Sequence, residues 1–200
     1  LYLKSLKRLK ILDEIREIYY KNTGMIISFH YPGKKAEFDF YPPLERSEFC
    51  RLIHSTKEGL NKCLESDKRG LIDSKKRGSY NIYYCHAGLI DVAIPLTYEG
   101  EDIGSIYTGQ VILQMPTDKE FDKIYKNIEY LSIDYNSLKK AYYKIKVIDK
   151  EQLHFCVRLL SLISNYIIAV ENELYLHKEI IQKDRELHKK ENEKIKLEKA

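Results

Sequence analysis

Apolar residues recur at spacings of three and four from the start of the chain, at Leu6, Leu9, Leu12, Ile15, Ile18 and Tyr19, with Lys, Arg and Glu between them. That spacing keeps one face of a 3.6-residue turn apolar and predicts a helix to about Lys21, stopped at Gly24. Met25 to Tyr31 then reads as a strand ended by the Pro32-Gly33 turn. Ala36, Phe38 and Phe40 alternate with Glu37 and Asp39, a period of two that predicts a second, half-buried strand closed by Pro42-Pro43. Ser47 before Glu48 predicts a helix start, with Phe49, Leu52 and Ile53 on one face and Cys50 at its edge. Thr56 caps a further helix through Leu60, Cys63, Leu64 and Leu71, although Gly70 and Gly78 weaken that pattern.

Between Ser79 and Gln114 the character changes. Tyr80 to Tyr84, Leu89 to Tyr98 and Ile103 to Leu113 are β-branched and aromatic runs separated by Gly, and Glu99-Gly100-Glu101 marks a hairpin. Pro116-Thr117-Asp118 ends the sheet region and caps a helix with Phe121, Ile124, Tyr125 and Ile128 inward, followed by a short helix over Tyr135 to Tyr143. From about Asp149, Leu153, Cys156, Leu160, Ile163, Ile167, Val170 and Leu174 alternate steps of three and four with no Gly or Pro, which is a heptad seam. The seam weakens where His177 and Asp184 fall on it, and Ile180 and Leu187 point to a shifted register. Two readings stand for this helix: an amphipathic helix packed on its own domain, or the parallel seam of a homodimer leading to an output module beyond Ala200. The element order predicts an α+β fold: an antiparallel sheet of about five strands, flanking helices and a long C-terminal helix. It divides into an N-terminal helix (1–24), a central domain (25–148) and a helical linker (149–200). The chain starts at Leu1 rather than Met, so a longer protein is expected.

Composition removes several function classes. Hydrophobic residues are 44% and charged residues 32% of the 200, so a packed domain is expected rather than a disordered chain. A net charge of +4 with no dominant basic block argues against nucleic-acid binding. No unbroken apolar run approaches the roughly 20 residues of a membrane span: Leu159 to Val170 is interrupted by Ser161, Ser164 and Asn165. The charged first twenty residues are no signal peptide. No membrane association and a cytoplasmic location are therefore expected. Four cysteines without a C-x-x-C pair imply no disulfide framework. The 17 tyrosines against no Trp read as compositional bias rather than as a binding surface.

Two blocks carry more specific information: F-C-R-L-I-H-S-T-K-E-G-L-N-K-C-L-E-S-D at Phe49 to Asp67, and Y-C-H-A-G-L-I-D-V-A-I-P-L-T-Y-E-G-E-D-I-G-S-I-Y-T-G-Q at Tyr84 to Gln110. Together they resemble the PocR sensory domain found in bacterial AraC-type regulators and histidine kinases. The matching features are the Phe49-Cys50 pair, Cys63 followed by Ser66-Asp67, and the C-H-A-G-L-x-D run from Cys85 to Asp91. Ile94-Pro95, the Gly100/Gly104 pair and Gly109-Gln110 complete them. The resemblance covers roughly residues 25–170. It implies a PAS-like module that senses small hydrocarbon derivatives such as propanediol, and it implies no catalytic activity.

The residue chemistry in these blocks suits such a site. Cys85 and His86 end a strand before Ala87-Gly88, and Gly88 permits a turn or a close approach to a ligand. A neutral imidazole has one donor and one acceptor, matching a diol. Asp91 accepts hydrogen bonds and Gln110 both donates and accepts, while Gly109 inside a strand pattern signals a bulge. Asp91 equally reads as a turn brace and Gln110 as a strand-edge partner. Cys63 and Tyr107 complete the candidate set, with Tyr83, Tyr84 and Ile94 as further wall candidates. A rival reading makes Cys50, Cys63, Cys85 and His86 a metal or redox centre. Against it, no cysteines have the short zinc-motif spacing, and adjacent Cys85 and His86 reach one ion only from a turn. A third reading has tyrosines filling the pocket, leaving a dimerisation module. There is no P-loop, dinucleotide fingerprint or nucleophile elbow, so no enzyme and no cofactor are expected. His30, His54 and His154 are scattered and receive no role.

Overall fold

Helix α1 (Lys10–Thr23) stops at Gly24, whose N–H donates to the Tyr20 carbonyl at 2.7 Å, and the chain turns directly into strand β1 (Ile26–His30). This computed structural model describes residues 10–30 and 46–198. The strand expected over Ala36 to Phe40, its flanking prolines and the first residues of the N-terminal helix lie outside the described residues. Helix α2 (Glu48–His54) begins at Ser47, whose hydroxyl accepts from the Cys50 N–H, and α3 (Lys57–Arg77) begins at Thr56, which accepts from Gly59. Each cap satisfies one of the otherwise unpaired first-turn donors. Helix α3 runs straight through Gly70 because that glycine is a packing device: a Cβ there would stand 2.2 Å from the Tyr83 ring.

The sheet comprises β1, β2 (Asn81–Tyr84), β3 (Ile90–Tyr98) and β4 (Glu101–Ile112), antiparallel in the order β1-β4-β3-β2. The β3–β4 hairpin closes through Glu99 and Gly100, both at positive φ (49° and 85°), the two-residue turn whose twist matches paired strands. A fifth strand, β5 (Lys146–Val147), joins β4 in parallel beside Val111 and Ile112. Two residues carry no period to read, so pattern alone did not predict it. Between β4 and β5 stand α4 (Asp118–Ile128), capped by Thr117, and α5 (Tyr135–Tyr142), capped by Asp134. The long helix α6 (Lys150–Glu198) starts at Asp149, whose carboxylate accepts from the Glu151 and Gln152 N–H groups.

Alternation along the strands sorts the sheet into two faces. Met25, Ile27, Val92, Ile94, Leu96 and Ile106 form one face, packed under Leu153, Val157, Leu160 and Ile168 of α6, with Ile15 and Tyr19 of α1 at its margin. Ser28, Asp91, Tyr107 and Gly109 occupy the other face, beneath α2 and α3. A second apolar cluster joins Phe49 and Ile53 to Leu89, Phe121, Ile128, Leu138 and Tyr142. Tyrosines serve packing there: Tyr135 and Tyr142 lie 5.1 and 5.5 Å from the Phe121 ring.

Helix α6 departs from the expected seam. Leu153 and Leu160 are buried against the sheet of their own chain, and Cys156 and Ile167 lie partly buried on the same core. The unpartnered stripe is on the opposite side, at Phe155, Leu159, Leu162 and Tyr166, with Phe155 68% and Tyr166 72% exposed. It continues through Leu176, Ile180 and Leu187, also exposed. Residues 153–170 are apolar on two faces, and steps of three and four fit both. By length and composition alone this helix is long and apolar enough to cross a membrane, which a search for unbroken runs did not reveal. One side of that stretch is taken up by the domain core.

Candidate functional site

The polar face of the sheet does not close on the helices above it. A cavity of about 60 Å³ remains between β1, β3 and β4 below and α2 and α3 above. At about 10–15 Å³ per water position, it has room for roughly four to six water-sized groups. Its floor is Ile26, Ser28, Asp91, Tyr107, Thr108, Gly109 and Gln110. Arg46, Cys50, Ile53 and His54 come from α2 and its approach, Cys63 and Asp67 from α3, and Cys85 and Ala87 from the β2–β3 turn.

The floor is shaped by a bulge. Pairing jumps from Ile90↔Val111 to Asp91↔Gly109, leaving Gln110 unpaired with φ +63° beside Gly109 at φ +143°. A Cβ on Gly109 would lie 2.6 Å from both Asp91 Oδ1 and the Ile90 carbonyl, so only glycine fits. Asp91 Oδ1 accepts the Gln110 N–H at 3.0 Å and holds this left-handed residue in place. The Gln110 side chain then reaches the N-terminus of α2, where its Oε1 accepts from the Ser47 N–H at 3.1 Å. Asp91 and Gln110 thus act as braces as well as cavity wall.

The roof is tied down separately. Tyr83 donates its hydroxyl to Asp67 Oδ1 at 2.8 Å, and the His86 N–H donates to Ser66 Oγ at 3.0 Å. Cys85 and Gly88 close a tight turn, with Gly88 N–H donating to the Cys85 carbonyl. His86 Nε2 stands 3.2 Å from Cys63 Sγ, while its Nδ1 is buried without a hydrogen-bond partner. Arg46 contacts His54 Nδ1.

Burial dominates the electrostatics. It raises Asp91, with the neighbouring Asp67 charge adding to the rise against the Gln110 N–H and the Cys85 hydrogen bond. Asp67 is raised by burial too, opposed by the Tyr83 hydroxyl and Arg46. Burial pushes Cys50 up to about 12 and lifts Cys63 and Cys85 as well, so all three are neutral thiols. His54 is lowered to about 4 by burial and by Arg46, and burial lowers His86, so both rings are neutral at pH 7. Apart from Arg46 and the two carboxyls, which are only partly ionised near neutrality, the wall offers uncharged donors and acceptors, which suits a neutral polar guest.

Of the residues singled out from sequence, Cys63, Cys85, Asp91, Tyr107 and Gln110 line the cavity. His86 contacts Cys63 and does not line it. Gly88 is a turn residue against Ile124, which a Cβ would meet at 2.8 Å. Of the other wall candidates, Ile94 is in the opposite core, Tyr84 is exposed, and Tyr83 is bonded to Asp67. Sequence reasoning missed Arg46, Asp67 and His54. Asp67 stood inside a quoted block, but nothing in its spacing pointed it at the sheet; Arg46 and His54 carried no signal. Among the described residues no three His, Cys, Asp or Glu side chains are grouped to hold a metal ion, so the proposed Cys50, Cys63, Cys85 and His86 centre does not assemble. A wider groove of about 340 Å³ runs between the hairpin, the end of α3 and α6, lined by Lys75, Asp102, Ser161 and Asn165. Lys75 and Asp102 pair there at the surface, and the groove holds none of the buried titratable groups.

Comparisons with known proteins converge on one family. The family model described as the sensory domain found in PocR matches residues 7–172. The regulatory protein PocR of Salmonella typhimurium strain LT2 is 30% identical over 107 residues, covering 52% of this chain and 33% of that protein. The chain thus spans about a third of the length of this curated relative. No solved structure matches.

Proposed function

The chain belongs to the PocR sensory-domain family, and from that premise we propose that its cavity binds a small neutral polar molecule of the short alcohol or diol class. The observation that carries this reading is the cavity itself: room for a molecule of a few heavy atoms, with hydroxyl, amide, thiol and carboxyl groups around it. Cavities that accept larger ligands run to hundreds of cubic ångströms. The reading assigns no turnover to the site.

Occupancy is relayed, in this reading, through the Asp91–Gln110 bulge to β4, and from β4 through β5 to the start of α6. Ile148 N–H donates to the Ile112 carbonyl at 3.0 Å, directly before Asp149 caps that helix. The exposed stripe of α6 pairs with the same stripe of a second copy in a homodimer. Steps of four and three from Phe155 to Tyr166 are the repeat that two like helices interdigitate. An apolar strip of this length is unusual on a monomer.

A thermal-shift titration with ethanol, 1-propanol, 1,2-propanediol and glycerol tests the ligand class. A true ligand at 100-fold excess over its Kd stabilises by about 2.7 kcal/mol, or about 5–10 °C for a chain of this size. Ser28→Leu puts apolar bulk into the cavity and abolishes the shift. No response to any of the four sinks the ligand class. Sedimentation of Leu162→Lys/Tyr166→Lys tests the dimer: the parent chain sediments as a dimer and the variant as a monomer.

A further inference from the structure

We propose that Cys63 and His86 make this cavity a reversible trap for a short aldehyde, held as a hemithioacetal on the Cys63 sulfur. The inference rests on the reading of the cavity as the ligand site and adds a covalent class of ligand to it. Three thiols face the cavity, and their partners differ. The Cys85 thiol bonds the Asp91 carboxyl, and Cys50 lies against the Ser47 cap. Cys63 alone among these three has an imidazole nitrogen at hydrogen-bond distance, His86 Nε2 at 3.2 Å, on a ring that is not itself part of the lining. A thiol at the edge of a cavity with a base at hydrogen-bond distance has the arrangement of an activated nucleophile.

The position of the base is set by the fold. His86 is anchored by its backbone N–H to Ser66 Oγ, one turn of α3 from Cys63, and it sits in the tight Cys85–Gly88 turn. Burial keeps the ring neutral and therefore able to accept a proton. Burial also keeps the thiol protonated, so there is no standing thiolate to be oxidised. Attack requires simultaneous transfer of the thiol proton to Nε2. The sulfur then forms one bond to the carbonyl carbon, the C=O π pair moves to oxygen, and the proton returns from the imidazolium to that oxygen as a hydroxyl. No oxidant or reductant takes part and the product is neutral. A buried imidazolium whose Nδ1–H has no partner is costly, so the proton does not stay on the ring and the adduct remains reversible. Asp67 in the roof and Asp91 in the floor of the cavity supply hydrogen bonds to the new hydroxyl. Alcohols lack the electrophilic carbon and bind only non-covalently.

The test uses the whole chain with propanal and 1-propanol as matched probes. Two readouts are taken: thermal shift, and the rate of iodoacetamide alkylation at each cysteine by peptide mass mapping. The expected result is at least tenfold slower alkylation of Cys63 with propanal, reversed on dialysis, and little change at Cys156. Cys63→Ser should lose the part of the propanal shift that exceeds the 1-propanol shift, and Cys156→Ser, in the opposite core, should keep it. His86→Gln should slow adduct formation more than it weakens the final adduct. A propanal response that survives in Cys63→Ser, or equal propanal and 1-propanol shifts with Cys63 unprotected, overturns the trap and leaves the alcohol site standing. No response to either probe removes the ligand site and the trap with it. Because Cys63 protection is read in the unmutated chain, misfolding of a variant cannot decide the outcome.

Discussion

The two faces of one sheet follow opposite rules. Val92, Ile94, Leu96 and Ile106 are fully or almost fully buried against α6 and leave no polar group to satisfy. One residue along each strand, Asp91, Tyr107 and Gly109 face a cavity with titratable groups around it. The dry face gains from close packing; the wet face gives up packing and compensates with a chain of hydrogen bonds from Asp91 to Gln110 to Ser47. The comparison teaches that stability and recognition are carried by alternate residues of the same strands, so each can be altered with limited cost to the other.

The sharpest break of that separation is a large-to-small change on the dry face. Ile94→Ala should cost about 2–5 kcal/mol in urea unfolding, whereas Ser28→Ala on the wet face should cost less than about 1 kcal/mol. Equal losses would mean that the two faces do not differ in packing. Next in size is Gly109→Ala. The left-handed φ and the 2.6 Å approach to Asp91 and Ile90 predict a loss of about 1–3 kcal/mol, together with a weakened ligand response. A thermal shift unchanged by the substitution would show that the bulge shape is irrelevant to binding.

Titration sharpens the contrast further. Asp67 and Asp91 have folded-state values raised by burial, so their contribution is fully present below the ordinary carboxylate range and is lost as pH rises toward neutrality. Exposed carboxylates such as Asp118 and Asp134 are lowered by hydrogen bonds to Tyr143 and Lys139 and to Ser137, and act in the opposite sense at lower pH. The lowered His54 and His86 act against this below about pH 6.5, so the decisive quantity is the difference between parent and Asp91→Asn: urea midpoints measured from pH 4 to 8 should fall more with rising pH in the parent than in the variant. Parallel pH profiles for the two chains contradict the wet-face assignment. The smallest effect is expected at Lys144–Glu48, an exposed pair at 2.7 Å. Lys144→Ala should leave the melting temperature unchanged within error, since surface pairs contribute little.

Much of the frame was legible because its signals are local. Ser47, Thr56 and Thr117 each cap the helix that their position predicted, and Glu99-Gly100 makes the expected two-residue turn. Gly109 was readable as a bulge because a glycine inside a strand has few other reasons to be there. His86, beside Cys85 in sequence, contacts Cys63 rather than the cavity because a turn, not a strand, carries it, and that placement has no local mark.

What the sequence by itself determined is therefore the helices, the strands β1 to β4, their caps and turns, and the α+β class, since each depends on residues within a few positions of one another. Which stripe of α6 meets the sheet, where β5 joins β4, and how Arg46, Asp67 and His54 come to share a cavity with Asp91 were decided only by the tertiary structure. Those choices depend on surfaces brought together from distant parts of the chain. An apolar helix with two usable faces, or a lone charged residue in a loop, carries no local mark of the partner it will meet.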